Sequence, residues 1–126
     1  TVECTKAGLG LKFFFVLAAL GEQGIADYID RQYDLAKKAW DYIEQLDDFT
    51  CPVRPQSNIV CFRVDGDDEM QIRIRDRLNE QGQFYLSTTS FMGARYLRVS
   101  LMNPDTSIQD IQDLVHKIRC IREEDF

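Results

Sequence analysis

Arg98 lies in the run RYLRVSLMNPDT, residues 95–106, where Tyr96, Arg98 and Ser100 alternate with Leu97, Val99 and Leu101. In an extended chain this alternation puts the aliphatic side chains on one face and the guanidinium on the other. An arginine so placed is either solvated or closed over an anion, because its rigid two-pronged array of donors matches a carboxylate. Pattern alone leaves both readings open. The remaining candidates carry less. His116, the one histidine, stands in an amphipathic terminal segment with no acid or nucleophile beside it by spacing, and reads as exposed rather than catalytic. Cys4, Cys51, Cys61 and Cys120 form no CxxC pair, so zinc is not expected and no metal site is assigned. Cys51 and Cys61 could face one another across a hairpin turning near Gln56, which makes a disulfide conceivable; reduced, semi-apolar thiols are the plainer reading. The carboxylates of DDEM and REED read as helix-end charges and a solvated tail.

The elements that would position Arg98 follow from two periodicities. From about Thr5 to Leu20, Leu9, Phe13, Val16, Leu17 and Leu20 form a helical stripe that Phe14, Phe15 and Ala18 widen until the helix is apolar on most sides. Gly21 and Gly24 should stop or bend it. A second amphipathic helix is expected from about Ile25 to Leu46, on Ile25, Tyr28, Ile29, Leu35, Ala36, Ala39, Trp40 and Ile43. After Asp48 the period falls to two. FTCPVR, from Phe49, predicts a short strand weakened by Pro52, and NIVCFRV, from Asn58, a better one. A helix follows, with Asp67 or Asp68 at its start and Gly82 as its terminator. Strands are then predicted at about Phe84 to Thr88 and Tyr96 to Met102, with Phe91, Met92 and Gly93 in the loop between them. Thr106 or Ser107 should cap a last helix on Ile108, Ile111, Leu114, Val115 and Ile118.

The order ααββαββα predicts an α+β layer structure: a three- to four-stranded, mainly antiparallel sheet with helices on one face. Val60, Phe62 and Val64 should join Leu97, Val99 and Leu101 beneath the helices. Cys61, Arg63, Tyr85, Ser87, Tyr96, Arg98 and Ser100 are left on the opposite face.

Composition bounds what such a domain could do. The 126 residues are 44% hydrophobic and 29% charged, as expected of one globular domain. The net charge of -6 argues against a nucleic-acid surface, which clusters Lys and Arg. The apolar run FFFVLAAL, Phe13 to Leu20, falls short of the roughly 20 residues of a spanning helix, so no membrane association and a cytoplasmic location are expected. GxGxxG, GxSxG and HExxH are absent.

The run ECTK followed by LKFFFVLAALGEQGIADYIDRQYDLAKKAWDYIE, then NIVCFRV, then RYLRVSLMNPDTSIQDIQDLVHKI, resembles the carboxy-terminal part of the group II pyridoxal-phosphate-dependent amino-acid decarboxylases, over almost the whole chain and in the same order of elements. The LR....NP.T ending looks more like the glutamate and 2,4-diaminobutyrate decarboxylase branches than the aromatic one. The resemblance implies the small domain of a fold-type I enzyme, with residues 1–24 as an interdomain helix leading from a large domain and residues 25–126 as the small domain itself. It implies a homodimer acting on a small amino acid, with Arg98 at the position whose guanidinium binds the substrate carboxylate. It also implies that pyridoxal phosphate is bound elsewhere in the full-length enzyme, so that neither catalytic nor cofactor-binding residues lie in this stretch. Lys6, Lys12, Lys37, Lys38 and Lys117 lack the family's His-Lys context. Lys6, Ala7 and Leu9 depart from the family's two basic residues and aspartate, and Phe13 and Phe14 from its Leu-Trp. A different class remains: a stand-alone small-molecule-binding or dimerisation module, which would fold FFFVLAAL into its own core. An aminotransferase shares the carboxylate-binding logic, but the NP.T ending and ECTK argue against it.

Overall fold

Each change of period in the sequence becomes a change of element in the computed structural model, which describes residues 8–126. The helix start at Thr5, Cys4 and all of ECTK lie outside the described residues. The elements are α1 (Leu9–Glu44), β1 (Phe49–Thr50), β2 (Ile59–Val64), α2 (Asp68–Gln81), β3 (Ser87–Phe91), β4 (Ala94–Ser100) and α3 (Ile108–Asp125). The two helices expected before the sheet run together as α1 through a kink at Gly21, whose φ of 70° and ψ of 172° leave helical space. A side chain there would cost energy that glycine does not pay.

Two compact units result, one up to Arg31 and the other Gln32–Phe126. In the first, Phe13, Phe14 and Phe15 are exposed by 62%, 59% and 60%, and Leu9, Leu11, Val16 and Leu20 are exposed with them. The short apolar run underestimates this segment. Taken as a whole, α1 is long and apolar enough to cross a membrane, a test that signal sequences and the core helices of soluble proteins also pass; none of its apolar window is buried.

The second unit holds the core. Leu35, Ala36, Ala39 and Ile43 recur on one stripe of α1 and are buried. They join Val60, Phe62, Val64, Leu97, Val99 and Leu101 from the sheet, Ile74 and Leu78 from α2, and Ile111, Leu114, Val115, Ile118 and Ile121 from α3. The sheet has the order β1-β2-β4-β3 with every neighbour antiparallel, the α+β layer that the pattern predicts.

Cap chemistry sets the helix ends. The Asp67 carboxylate accepts from the Met70 N–H at 2.8 Å, and Gly82, at φ 73°, closes α2 by donating to the Asn79 carbonyl. Ser107 starts α3, its N–H donating to Asp110 Oδ2 at 2.7 Å.

Two strand boundaries differ from expectation. β1 ends at Thr50 rather than continuing to Arg54, because Pro52 has no N–H to give a ladder. The β3–β4 hairpin lies further along than predicted and takes Phe91 into β3, leaving a two-residue turn. Met92 and Gly93 have φ of 49° and 79°, the left-handed pair that matches strand twist in such a turn. Leu86 lies just before β3, and the Asn79 side-chain amide accepts from its N–H at 2.9 Å and donates to its carbonyl at 3.1 Å.

Candidate functional site

Register decides what Arg98 faces. β2 pairs Cys61 with Arg98, and β3 pairs Ser87 with Arg98, so the three residues form one row across the sheet on the side away from the helices. On the next row Arg63 lies 5.7 Å from the ring centroid of Tyr96, which makes an edge contact with Phe91 at 6.4 Å. Every residue assigned by alternation to the outer face of β2 and β4 is on that face.

The two outer-face arginines are in different states. Arg63 is engaged: Nη1 donates to Asp68 Oδ1 at 3.1 Å and Nη2 to the Gly66 carbonyl at 2.6 Å. Asp68 is itself organised by the Arg95 N–H, which together with Arg63 holds its carboxyl below the usual carboxylate range. Arg98 is half-buried, and no ion pair joins it to a carboxylate among the described residues. Its charge instead falls on a thiol. Burial pushes the Cys61 thiol up and Arg98 pulls it partly back. Cys51, also free, is pushed up to about 12, by burial first and then by Glu44 and Cys61. Both thiols are therefore protonated at neutral pH and are poor nucleophiles.

Beside Cys61 a shallow cavity of about 270 Å³ is lined by Val53, Arg54, Pro55, Gln56 and Ile59. Arg54 lies over the ring of Trp40 at 5.3 Å. A larger cavity of about 770 Å³ lies elsewhere, between Asp48, Asp65, Met70, Arg119, Arg122, Glu123 and Phe126, but Asp48 is already clamped there by Arg119 at 2.6 and 2.9 Å. His116 Nε2 lies 3.7 Å from Cys120 Sγ on α3 and does not join the outer-face row. Among the described residues no cluster of His, Cys, Asp and Glu could hold a metal ion.

Sequence reading misses the partners that distinguish the two arginines. Gly66 and Asp68 reach Arg63 only because the turn after β2 folds back, and Trp40 meets Arg54 across a separation in the chain that no short motif records. What the outer-face row offers chemically is recognition: a cation flanked by a neutral thiol and a hydroxyl, with no base or nucleophile on it.

These features define a small antiparallel α+β layer domain whose outer sheet face carries an arginine with no carboxylate partner among the described residues. No family model matches the chain. It is 31% identical over 119 residues to tyrosine decarboxylase 2 of Arabidopsis thaliana, covering 89% of this chain and 22% of that protein. It is 29% identical over 101 residues to histidine decarboxylase of Drosophila melanogaster, covering 80% and 12%. Among solved structures, the glutamate decarboxylase domain of diaminobutyrate-pyruvate transaminase and L-2,4-diaminobutyrate decarboxylase from Vibrio parahaemolyticus superposes with a TM-score of 0.83 at 24% identity, over 90% of this chain and 26% of that one. Mouse CSAD in apo form gives 0.84 at 20%, over 96% and 29%. The chain thus matches one segment of the group II pyridoxal-phosphate-dependent amino-acid decarboxylases, as the resemblance implied, and spans less than a third of the length of each of these relatives.

The outer-face row holds no lysine that could carry the cofactor of that family. A Schiff base needs a lysine at the site, and β2, β3 and β4 contain none; Lys12, Lys37 and Lys38 are on α1 and Lys117 on α3.

Proposed function

We propose that this chain is the carboxy-terminal part of a cytoplasmic, homodimeric, pyridoxal-phosphate-dependent decarboxylase of a small L-amino acid such as glutamate or 2,4-diaminobutyrate, and that Arg98 binds the substrate carboxylate. In this reading residues 1–24 lead out of a large domain that carries the cofactor, and residues 25–126 form the small domain. The observation that carries it is the contrast on one face of the sheet: Arg63 is held by Asp68 and Gly66, whereas Arg98, half-buried, has no carboxylate partner among the described residues. A guanidinium so placed gains most from an anion arriving with its own two oxygens. The exposed Phe13, Phe14 and Phe15 favour a piece of a larger enzyme over a self-sufficient module, since a module would bury them in its own core.

Arg98 has a positional role here. The cofactor supplies the electron sink for decarboxylation when bound, and the guanidinium anchors the substrate so that the bond to be broken is held in the reactive orientation. The test is Arg98→Ala in the intact enzyme. Transition-state stabilisation should fall by about 2 to 4 kcal/mol, read as a roughly 30- to 900-fold drop in kcat/KM, as when one partner of a desolvated charge pair is lost. Unfolding by urea should be unchanged. Turnover near the wild-type rate would return Arg98 to a solvated surface role. A panel including glutamate, 2,4-diaminobutyrate, tyrosine and histidine assigns the branch, and preference for an aromatic substrate would overturn the acidic or diamino assignment.

A further inference from the structure

The cavity beside Cys61 has a cation on each side of it. Its floor is Ile59 and Cys61, alternate residues on the outer face of β2, and its wall is the connection from β1 to β2, with Val53, Arg54, Pro55 and Gln56. β4 borders β2 on the side away from β1, and it sets Arg98 opposite Cys61, one strand spacing of about 4.8 Å away. Arg54 therefore stands at the loop border of the cavity and Arg98 at the β4 border. Cys61 lies between them.

Arg54 is held in place without being neutralised. Its guanidinium lies 5.3 Å from the centroid of the Trp40 ring, and Pro55 beside it is buried, which restrains the loop on which it sits. Elsewhere this acidic chain pairs its arginines locally: Arg63, Arg75, Arg77, Arg119 and Arg122 each have a carboxylate oxygen within 4.0 Å. Arg54, like Arg98, has none among the described residues. Cys61 does not neutralise either of them, because burial keeps its thiol protonated.

Two such cations on the two sides of one cavity favour a ligand with two separated negative charges. At about 270 Å³ the cavity lies just below the range of roughly 300 to 1,000 Å³ usual for small-molecule sites, a size suited to a short aliphatic acid, and Val53 and Ile59 offer apolar surface to its methylene groups. An aromatic side chain could use that apolar surface but would leave Arg54 without an anion. A diamino acid would set an ammonium group against it.

We propose that Arg54 is a specificity-determining residue that receives the side-chain carboxylate of a dicarboxylic L-amino acid whose α-carboxylate is held by Arg98. The assignment rests on the decarboxylase reading for Arg98 and narrows it, selecting an acidic substrate over a diamino or aromatic one. Trp40 is then a positioning residue, which holds the Arg54 guanidinium at the border of the cavity.

The test is calorimetric titration of the intact enzyme with glutarate, with pentanoate, which has the same carbon chain and one carboxylate fewer, and with 3-phenylpropionate. Glutarate should bind tightest. Arg54→Gln should weaken glutarate at least tenfold and pentanoate by less than twofold, the retained pentanoate binding showing that the site is still folded; Arg98→Gln should weaken both. Glutarate binding indifferent to Arg54→Gln, an equal loss for glutarate and pentanoate, or 3-phenylpropionate binding more tightly than glutarate would each overturn the proposal. Its failure is distinguishable from failure of the decarboxylase reading. If Arg98→Ala abolishes turnover while glutarate ignores Arg54→Gln, the reading stands and the Arg54 subsite falls; if turnover survives Arg98→Ala while glutarate still requires Arg54, the reading falls and Arg54 remains a dicarboxylate ligand.

Discussion

The two faces of the sheet are made by the same strands, residue by residue, and have opposite character. On the inner face Val60, Phe62, Val64, Leu97, Val99 and Leu101 are all buried against three helices. On the outer face Cys61, Arg63, Tyr96 and Arg98 are only half covered, and their order comes from charge and register rather than packing. The contrast teaches that core packing and the placement of charge are separable here down to adjacent positions. Phe62 and Cys61 are neighbours, yet one is a keystone of the core and the other a neutral companion of a guanidinium.

Substitutions that act on one face only would sharpen that contrast. Phe62→Ala should cost about 3 to 5 kcal/mol of unfolding free energy by urea titration, the value for a large side chain deleted from a packed core. A loss below about 1 kcal/mol would mean that the inner face tolerates collapse and that the two faces differ less than burial implies.

The next effect concerns the seam between sheet and α2. Gln71 is fully buried, accepting from the Val64 N–H at 3.1 Å and donating to the Val64 carbonyl at 2.8 Å, so its amide stands in for a strand. Gln71→Leu keeps the volume but strands both backbone groups. A destabilisation of roughly 2 to 3 kcal/mol is expected, and an unchanged urea midpoint would show that water replaces the amide.

A smaller effect belongs to the clamp between β1 and α3. Arg119 holds Asp48 by two hydrogen bonds and lies over Phe49 at 5.6 Å, and its guanidinium keeps the Asp48 carboxyl below its ordinary value of 3.8. A carboxyl lowered on folding stabilises the protein above its unfolded value, and that contribution is lost as pH falls below about 4 through the folded value. Both side chains are partly exposed, so the pair is worth no more than about 1 kcal/mol. A double-mutant cycle of Asp48→Asn with Arg119→Met should therefore show coupling at pH 7 that weakens as pH falls below about 4. Coupling that persists in acid would assign the contact to packing on Phe49.

The least perturbing experiment compares thiols. With Cys51 pushed up to about 12 by burial, iodoacetamide at pH 8 should label Cys120 well before Cys51. Faster labelling of Cys51 would show that its packing against the core opens in solution.

Local chemistry made much of this architecture legible. The helix ends at Asp67, Gly82 and Ser107 carry residues whose side chains or conformational freedom terminate helices wherever they occur. The bend at Gly21 and the assignment of Arg98 to the outer face followed likewise from residue type and alternation. The hairpin was placed too early in the chain because Leu86 reads as a strand residue, whereas β3 runs Ser87–Phe91.

What the sequence by itself determined is the set of elements and the face on which each residue lies, because periods of 3.6 and 2 are properties of neighbouring residues. Only the tertiary structure decided which arginine is engaged and which is left without a carboxylate, where β1 stops and β3 starts, and which strands lie at the edges of the sheet. Those outcomes depend on groups distant in the chain being brought within hydrogen-bond reach, and no local pattern encodes that distance.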